Sequence, residues 1–282
     1  GVKNGIGRMV KILMPMLGAL LIFMVIYAIF NGAFIKALSF LFAPDFSSVT
    51  SETFLSAMGQ AFFSLSLGMG SIMAYGAYMP KDQKVVPTSF TVASLDTLVA
   101  MLAGLAIFPI IFAFNLEPNS GPGLVFVSML SAFNQMQFGQ LIGPIFFILL
   151  SIAALSSSIS LLEPGVAFLS EEGYLSRKNS ALAISLFAWS LGIGTALSFN
   201  TLSGFELISG KNFLDSLDFI ANQILLPFGG MMIAIFVGWF MKKELIINEI
   251  GYVNLIIYKL WRFFIKFIAP TSVALIFISQ IF

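Results

Sequence analysis

Apolar residues gather along the chain into seven long runs, at roughly 9–30, 53–79, 86–114, 141–170, 179–198, 213–241 and 255–281, separated by short polar links. As helices, runs of about 18 residues or more cross a hydrocarbon core of about 30 Å. The ten-residue alternation of a transmembrane β-barrel is not visible. The pattern therefore predicts an all-α polytopic membrane protein, with residues 1–282 in a single transmembrane domain. The second run is predicted to be broken, because "GQAFFSLSLGMGSIMAYGAY" (Gly59 to Tyr78) places two serines and two glycines at its middle. The link before it, "NGAFIKALSFLFAPDFSSVTSE", predicts one short amphipathic helix, then a helix start at Ser51-Glu52, where a hydroxyl can cap free N–H groups. The link "NLEPNSGPGLVFVSMLSAFNQMQFG" predicts a turn and a folded-in hairpin.

Composition removes whole classes of function. Apolar residues make up 59% of the chain, charged residues 10%, and Phe alone occurs 32 times. A net charge of +1 offers no field for nucleic acid. Cys and His are absent, which excludes thiol chemistry, disulfides, zinc sites and histidine acid–base work. A serine protease would lack its base, and an aspartyl protease its second deep aspartate, so an enzyme is not expected. The opening "GVKNGIGRMVKILMP" reads as a basic loop beside a span, not a signal peptide, and as an internal start with chain expected upstream. With that start in the cytoplasm, Lys3, Arg8, Lys11, Lys81, Lys84, Arg177, Lys178, Lys242, Lys243, Lys259, Arg262 and Lys266 fall inside, and Lys36 and Lys211 outside. The bias predicts a multi-pass protein of the cytoplasmic membrane with residue 282 outside.

Three polar features lie within the spans. Irregular backbone survives in a bilayer only against protein or a water-filled cavity. Unwinding near Ser64, Ser66, Gly68 and Gly70 would free carbonyls suited to Na⁺ and N–H groups suited to a carboxylate. The same residues also serve close helix packing, and spacing alone leaves both readings open. Asp96 sits eleven residues into its span with no Lys or Arg at similar depth, which points to an ion path or a protonated structural carboxyl. In "IAALSSSISLLEPG", Ala153, Ser156 and Ser157 share one helix face, so two hydroxyls flank a carbonyl in a cluster of hard oxygens. Close packing by small serines is the alternative. Leu161, one turn beyond Ser157, gives an apolar wall, and Glu163-Pro164 reads as a kink with a satisfied carboxyl.

At these residues the chain resembles a known family. "GQAFFSLSLGMGSIMAYGAYMPKD" resembles the sixth helix of the neurotransmitter:sodium symporters, especially the bacterial amino-acid transporters. "SLDTLVAMLAGLAIFP" is similar to the seventh, "AALSSSISLLEPGVAFL" to the eighth and "GIGRMVKILMP" to the entry of the fifth. The resemblance runs from the fifth helix to the eleventh. It implies the second half of an inverted-repeat fold of five plus five helices, without counterparts of the first four, and a fragment inactive by itself. It implies sodium-coupled symport of an amino acid, with sodium, substrate, the lipid bilayer and the missing N-terminal helices as partners. Phe63 resembles the lid over the substrate, with Ser64, Ser66, Gly68, Met69, Ser157 and Leu161 around it. Ser64, Asp96, Ala153, Ser156 and Ser157 resemble the ligands of one or two sodium ions. Asp96 could supply the fixed negative charge for which other members use chloride, so chloride is not expected to be required. Met69 stands where other members have an aromatic ring, which suggests a roomy pocket for a hydrophobic or aromatic amino acid. A passive channel and a non-transporting scaffold are the rival readings.

Overall fold

The first apolar run becomes helix α1 (Gly7–Asn31), and the link after it carries α2 (Phe34–Phe42). The structure is a computed structural model and describes residues 7–80, 82–118, 121–198, 200–250 and 255–281. Lys3, Lys81 and Phe282, which bear on the expected orientation, lie outside the described residues. The second run divides into α3 (Ser51–Ser64) and α4 (Ser71–Ala77). Then come α5 (Val85–Ala113), α6 (121–135, with a π turn at Leu124–Ser128), α7 (Gly139–Glu171) and α8 (Arg177–Leu197). A small antiparallel hairpin, β1 (Glu206–Ile208) and β2 (Lys211–Asn212), leads into α9 (Phe213–Phe240). The last elements are α10 (Lys243–Ile250) and α11 (255–281, with a π turn at Phe264–Ile268).

Among the described residues five helices are long and apolar enough to cross a membrane: α1, α5, α7, α8 and α9. The second expected span is not among them because it is interrupted: α3 has 14 residues and α4 has 7. The helix start near Ser51 is found, but the cap is Thr50, one residue earlier. Its hydroxyl accepts from the Thr53 N–H, and Thr53 in turn accepts from the Thr50 N–H. The expected hairpin after α5 is helical along α6. The hairpin β1–β2 and helix α10 have no apolar run to announce them.

The chain divides into two compact units, one from the chain up to Ser48 with Ala93–Ile159, the other from Val49–Val92 with Ser160 onward. In the first unit Leu21, Met24 and Ala28 of α1 pack with Ile110 and Ile111 of α5, Met129 and Phe133 of α6, and Phe146 of α7. Two helix ends satisfy each other there. The Ala33 N–H, at the entry to α2, donates to the Pro109 carbonyl in the last turn of α5 at 2.9 Å. Gly32 permits that approach, since a Cβ on it would lie 2.7 Å from the Pro109 Cβ and 2.6 Å from the Ala28 carbonyl oxygen.

In the second unit buried serines tie the β-hairpin to α9. Ser216 Oγ accepts from the Ile208 N–H and donates to the Lys211 carbonyl, and Ser198 Oγ accepts from the Leu214 N–H. Asn212 caps α9 by accepting from the Asp215 N–H at 2.9 Å. Two π turns, Phe219–Leu225 and Phe236–Phe240, interrupt α9, the first just ahead of Pro227. Proline lacks an N–H and its ring crowds the carbonyl one turn back, and a wider turn accommodates both.

Gly32→Ala is expected to lower stability by about 1–3 kcal/mol, as overpacking does. Gly18→Ala, whose Cβ meets nothing within 4 Å, is the control and should be neutral or slightly stabilising. Thermal unfolding of the two purified variants in detergent checks both; equal melting temperatures would remove the Gly32–Pro109 contact as a structural determinant.

Candidate functional site

Helix α3 ends in a Schellman motif. The Leu67 N–H donates to the Phe62 carbonyl at 2.9 Å and the Ser66 N–H to the Phe63 carbonyl at 3.0 Å. Glycine is usual at the position held by Ser66, because the motif needs left-handed backbone there. Ser66 adopts it, with φ 53°. For a residue with a Cβ this costs roughly 1–2 kcal/mol, so something must hold it. Left-handed residues then alternate with right-handed ones, as Gly68 has φ 88° and Gly70 φ 82°. The Met69 N–H donates to the Ser66 carbonyl at 3.4 Å, and the helical ladder restarts with the Ala74 N–H on the Gly70 carbonyl at 2.9 Å.

Helix α9 holds the break by backbone contact. A Cβ on Gly68 would sit 2.5 Å from the Leu226 carbonyl oxygen and 2.7 Å from the Gly230 nitrogen. A Cβ on Gly229 would sit 2.6 Å from the Gly68 carbonyl oxygen, and one on Gly230 would sit 2.6 Å from the Phe62 ring. Three glycines thus bring two main chains together where side chains would separate them. The pair Gly229–Gly230 in "LLPFGGMM" was not singled out from the sequence; a doubled glycine after a proline inside a span was the available signal.

On its other side the break meets the far half of α7. A Cβ on Gly70 would lie 3.2 Å from Pro164. The Tyr75 hydroxyl donates to Ser160 Oγ at 2.6 Å. Glu163, only 4% exposed, is satisfied as expected: Arg177 Nη2 donates to both of its oxygens at 2.7 Å. Removing Arg177 would leave the buried Glu163 charge unpaired. Ser71 begins α4, is 3% exposed, and its hydroxyl has no partner among the described residues.

Of the residues named from the sequence, Phe63 and Ser64 form the end of α3, Ser66, Gly68 and Met69 the break, and Leu161 an exposed position on α7. All six belong to the second unit. Asp96 on α5 and Ala153, Ser156 and Ser157 on α7 belong to the first. There the Ser156 hydroxyl donates to the Ala153 carbonyl at 2.8 Å. Ser156 is buried and Ser157 exposed. No group of three or more Asp or Glu gathers among the described residues.

Known proteins share the sequence and fold of this chain. The profile described as the Sodium:neurotransmitter symporter family matches residues 1–282. An uncharacterized sodium-dependent transporter of Bacillus subtilis, YhdH, is 33% identical over 285 residues, covering 100% of this chain and 63% of its own length. An uncharacterized sodium-dependent transporter of Haemophilus influenzae is 35% identical over 284 residues, with 100% and 62% covered. The chain thus spans less than two thirds of the length of these relatives. The solved structure of MhsT in complex with L-phenylalanine superposes with a TM-score of 0.87 at 44% identity, covering 99% of this chain and 64% of that one. With the family profile matching along the whole chain and the fold shared at that level of identity, the chain belongs to the sodium:neurotransmitter symporter family.

Proposed function

We propose that this chain is the ion- and substrate-holding part of a sodium-coupled amino-acid symporter in the cytoplasmic membrane. The observation that carries the reading is the interrupted helix, with Ser66, Gly68 and Gly70 left-handed and the break seated on the glycines of α9. In hydrocarbon an unpaired backbone group costs several kcal/mol, so such a break persists only against protein or a water-filled cavity, where a ligand can reach it. The family and its sodium-dependent relatives support sodium as co-substrate. MhsT, which holds L-phenylalanine, supports a hydrophobic or aromatic amino acid.

In this reading Ser64, Asp96, the Ala153 carbonyl, Ser156 and Ser157 bind one or two sodium ions. The zwitterion uses the freed main chain from Ser64 to Met69, with Phe63 over it and Ser157 and Leu161 at its side. The polypeptide crosses the membrane seven times, α3–α4 and α11 being the two crossings beyond the five long helices, and the start of α1 faces the cytoplasm. The resemblance assigns part of the ligand set to a first broken helix with no counterpart here. The transport activity proposed is that of the whole protein.

Proteoliposomes of such a protein should take up labelled phenylalanine saturably, driven by a sodium gradient and abolished when potassium replaces sodium. Flux that neither saturates nor responds to sodium would mean a channel. Asp96→Ala should raise the sodium concentration for half-maximal uptake about tenfold or more, equivalent to ~1.4 kcal/mol of ion binding, or abolish uptake. An unchanged sodium dependence would remove Asp96 from the ion path. Replacing chloride by gluconate at constant sodium should leave uptake unaltered; a fall to background contradicts the role of Asp96 as the fixed charge. Gly229→Val, which forces the α9 backbone off the Gly68 carbonyl, should abolish uptake and lower the melting temperature. Gly76→Ala, with open space around its Cβ, should preserve both.

A further inference from the structure

The turn that joins α9 to α11 through α10 gathers positive charge onto aromatic faces. Between Trp239 and Lys266 the sequence holds five cations, Lys242, Lys243, Lys259, Arg262 and Lys266, against the carboxylates of Glu244 and Glu249. Tyr258 is 6% exposed and serves two of the cations at once. The Lys243 ammonium lies 5.7 Å from its ring centroid and the Arg262 guanidinium 6.0 Å. Arg262 Nη1 also donates to the Tyr258 hydroxyl at 2.5 Å. The Lys266 ammonium sits 4.8 Å over the Trp239 ring, whose indole N–H donates back to the Lys266 carbonyl at 3.4 Å. Gly238 admits the lysine stem, since a Cβ there would lie 3.0 Å from Lys266 Cγ.

Cations at a membrane surface often only snorkel to water. Here they converge on rings instead, and among the described residues none of Lys243, Arg262 and Lys266 forms a salt bridge to a carboxylate. Like charges held together repel, and a shared anion relieves that repulsion. Immediately beside them Phe236, Phe240, Phe264 and Phe267 are exposed. A ligand that suits both halves carries a phosphate at one end and hydrocarbon at the other. We propose that Lys243, Arg262 and Lys266 form a binding site for the phosphodiester of an anionic phospholipid, whose acyl chains lie along the exposed phenylalanines of α9 and α11. A zwitterionic headgroup is disfavoured because its ammonium would add a further cation. The site is independent of the transported substrate.

The purified full-length transporter, stripped of lipid and titrated with phosphatidylglycerol or phosphatidylcholine in native mass spectrometry, tests this. The wild type should retain phosphatidylglycerol in preference to phosphatidylcholine. The Lys243→Gln, Arg262→Gln, Lys266→Gln triple variant should lose about tenfold of that preference, and Lys243→Arg with Lys266→Arg should keep it. Lys178→Gln, at the start of α8, should leave it unchanged. If the triple variant does not fold, Lys243→Gln alone, at an exposed side chain, should still weaken retention severalfold. Equal retention of both lipids by the wild type overturns the site, as does a preference untouched by the substitutions. Displacement of phosphatidylglycerol by inorganic phosphate would instead identify a site for a soluble anion.

Discussion

A main-chain N–H or C=O with no partner cannot be left in hydrocarbon, and the arrangement around residues 64–70 follows from that constraint. Helix α3 ends with its last carbonyls taken up by the Schellman bonds from Ser66 and Leu67. The motif needs a left-handed residue, and the chain supplies a serine rather than a glycine, at a cost in strain. Contact with α9 holds that strained segment, and the contact is possible because Gly68, Gly229 and Gly230 carry no Cβ. Gly229 and Gly230 each weaken α9 by about 1 kcal/mol relative to Ala. The return is a main-chain surface presented at a defined place instead of a frayed helix end.

The same constraint governs the rest of the fold. The N–H of Ala33 at the entry to α2 finds the Pro109 carbonyl near the end of α5. Buried polar side chains are joined in short networks: Ser216 between Ile208 and Lys211, Ser198 under Leu214, and Glu163 with Arg177. Ser71 departs from that rule among the described residues, and it lies at the restart of the broken helix. In a bilayer-spanning protein such a hydroxyl is a place where an additional polar group can be received.

The membership of the family and the local geometry bear on different questions. Membership establishes the class of protein. The residues limit the chemistry open to the proposed site, since a chain with no His or Cys offers a hard cation only oxygen ligands. Such a donor set suits a weakly held monovalent ion that must also be released.

Much of this was legible in the order of residues. Run length and the scarcity of charge defined the long helices to within about two residues, because a spanning helix must be apolar over its whole length and its ends fall where polarity returns. The break was legible too, since Ser and Gly in series are poor helix formers wherever they occur. The cap moved from Ser51 to Thr50, a shift of one position between neighbouring hydroxyls that composition alone cannot resolve. The hairpin β1–β2 and helix α10 were not legible, being held by buried serine contacts and by packing against long helices rather than by any periodicity of their own. The order of residues determined that the second span would fail as a helix. Tertiary structure decided that the failure would become a break of fixed shape, because its partner, the pair Gly229–Gly230, lies far along the chain on α9. Close approach between two backbones is a property of how helices pack and not of either helix alone.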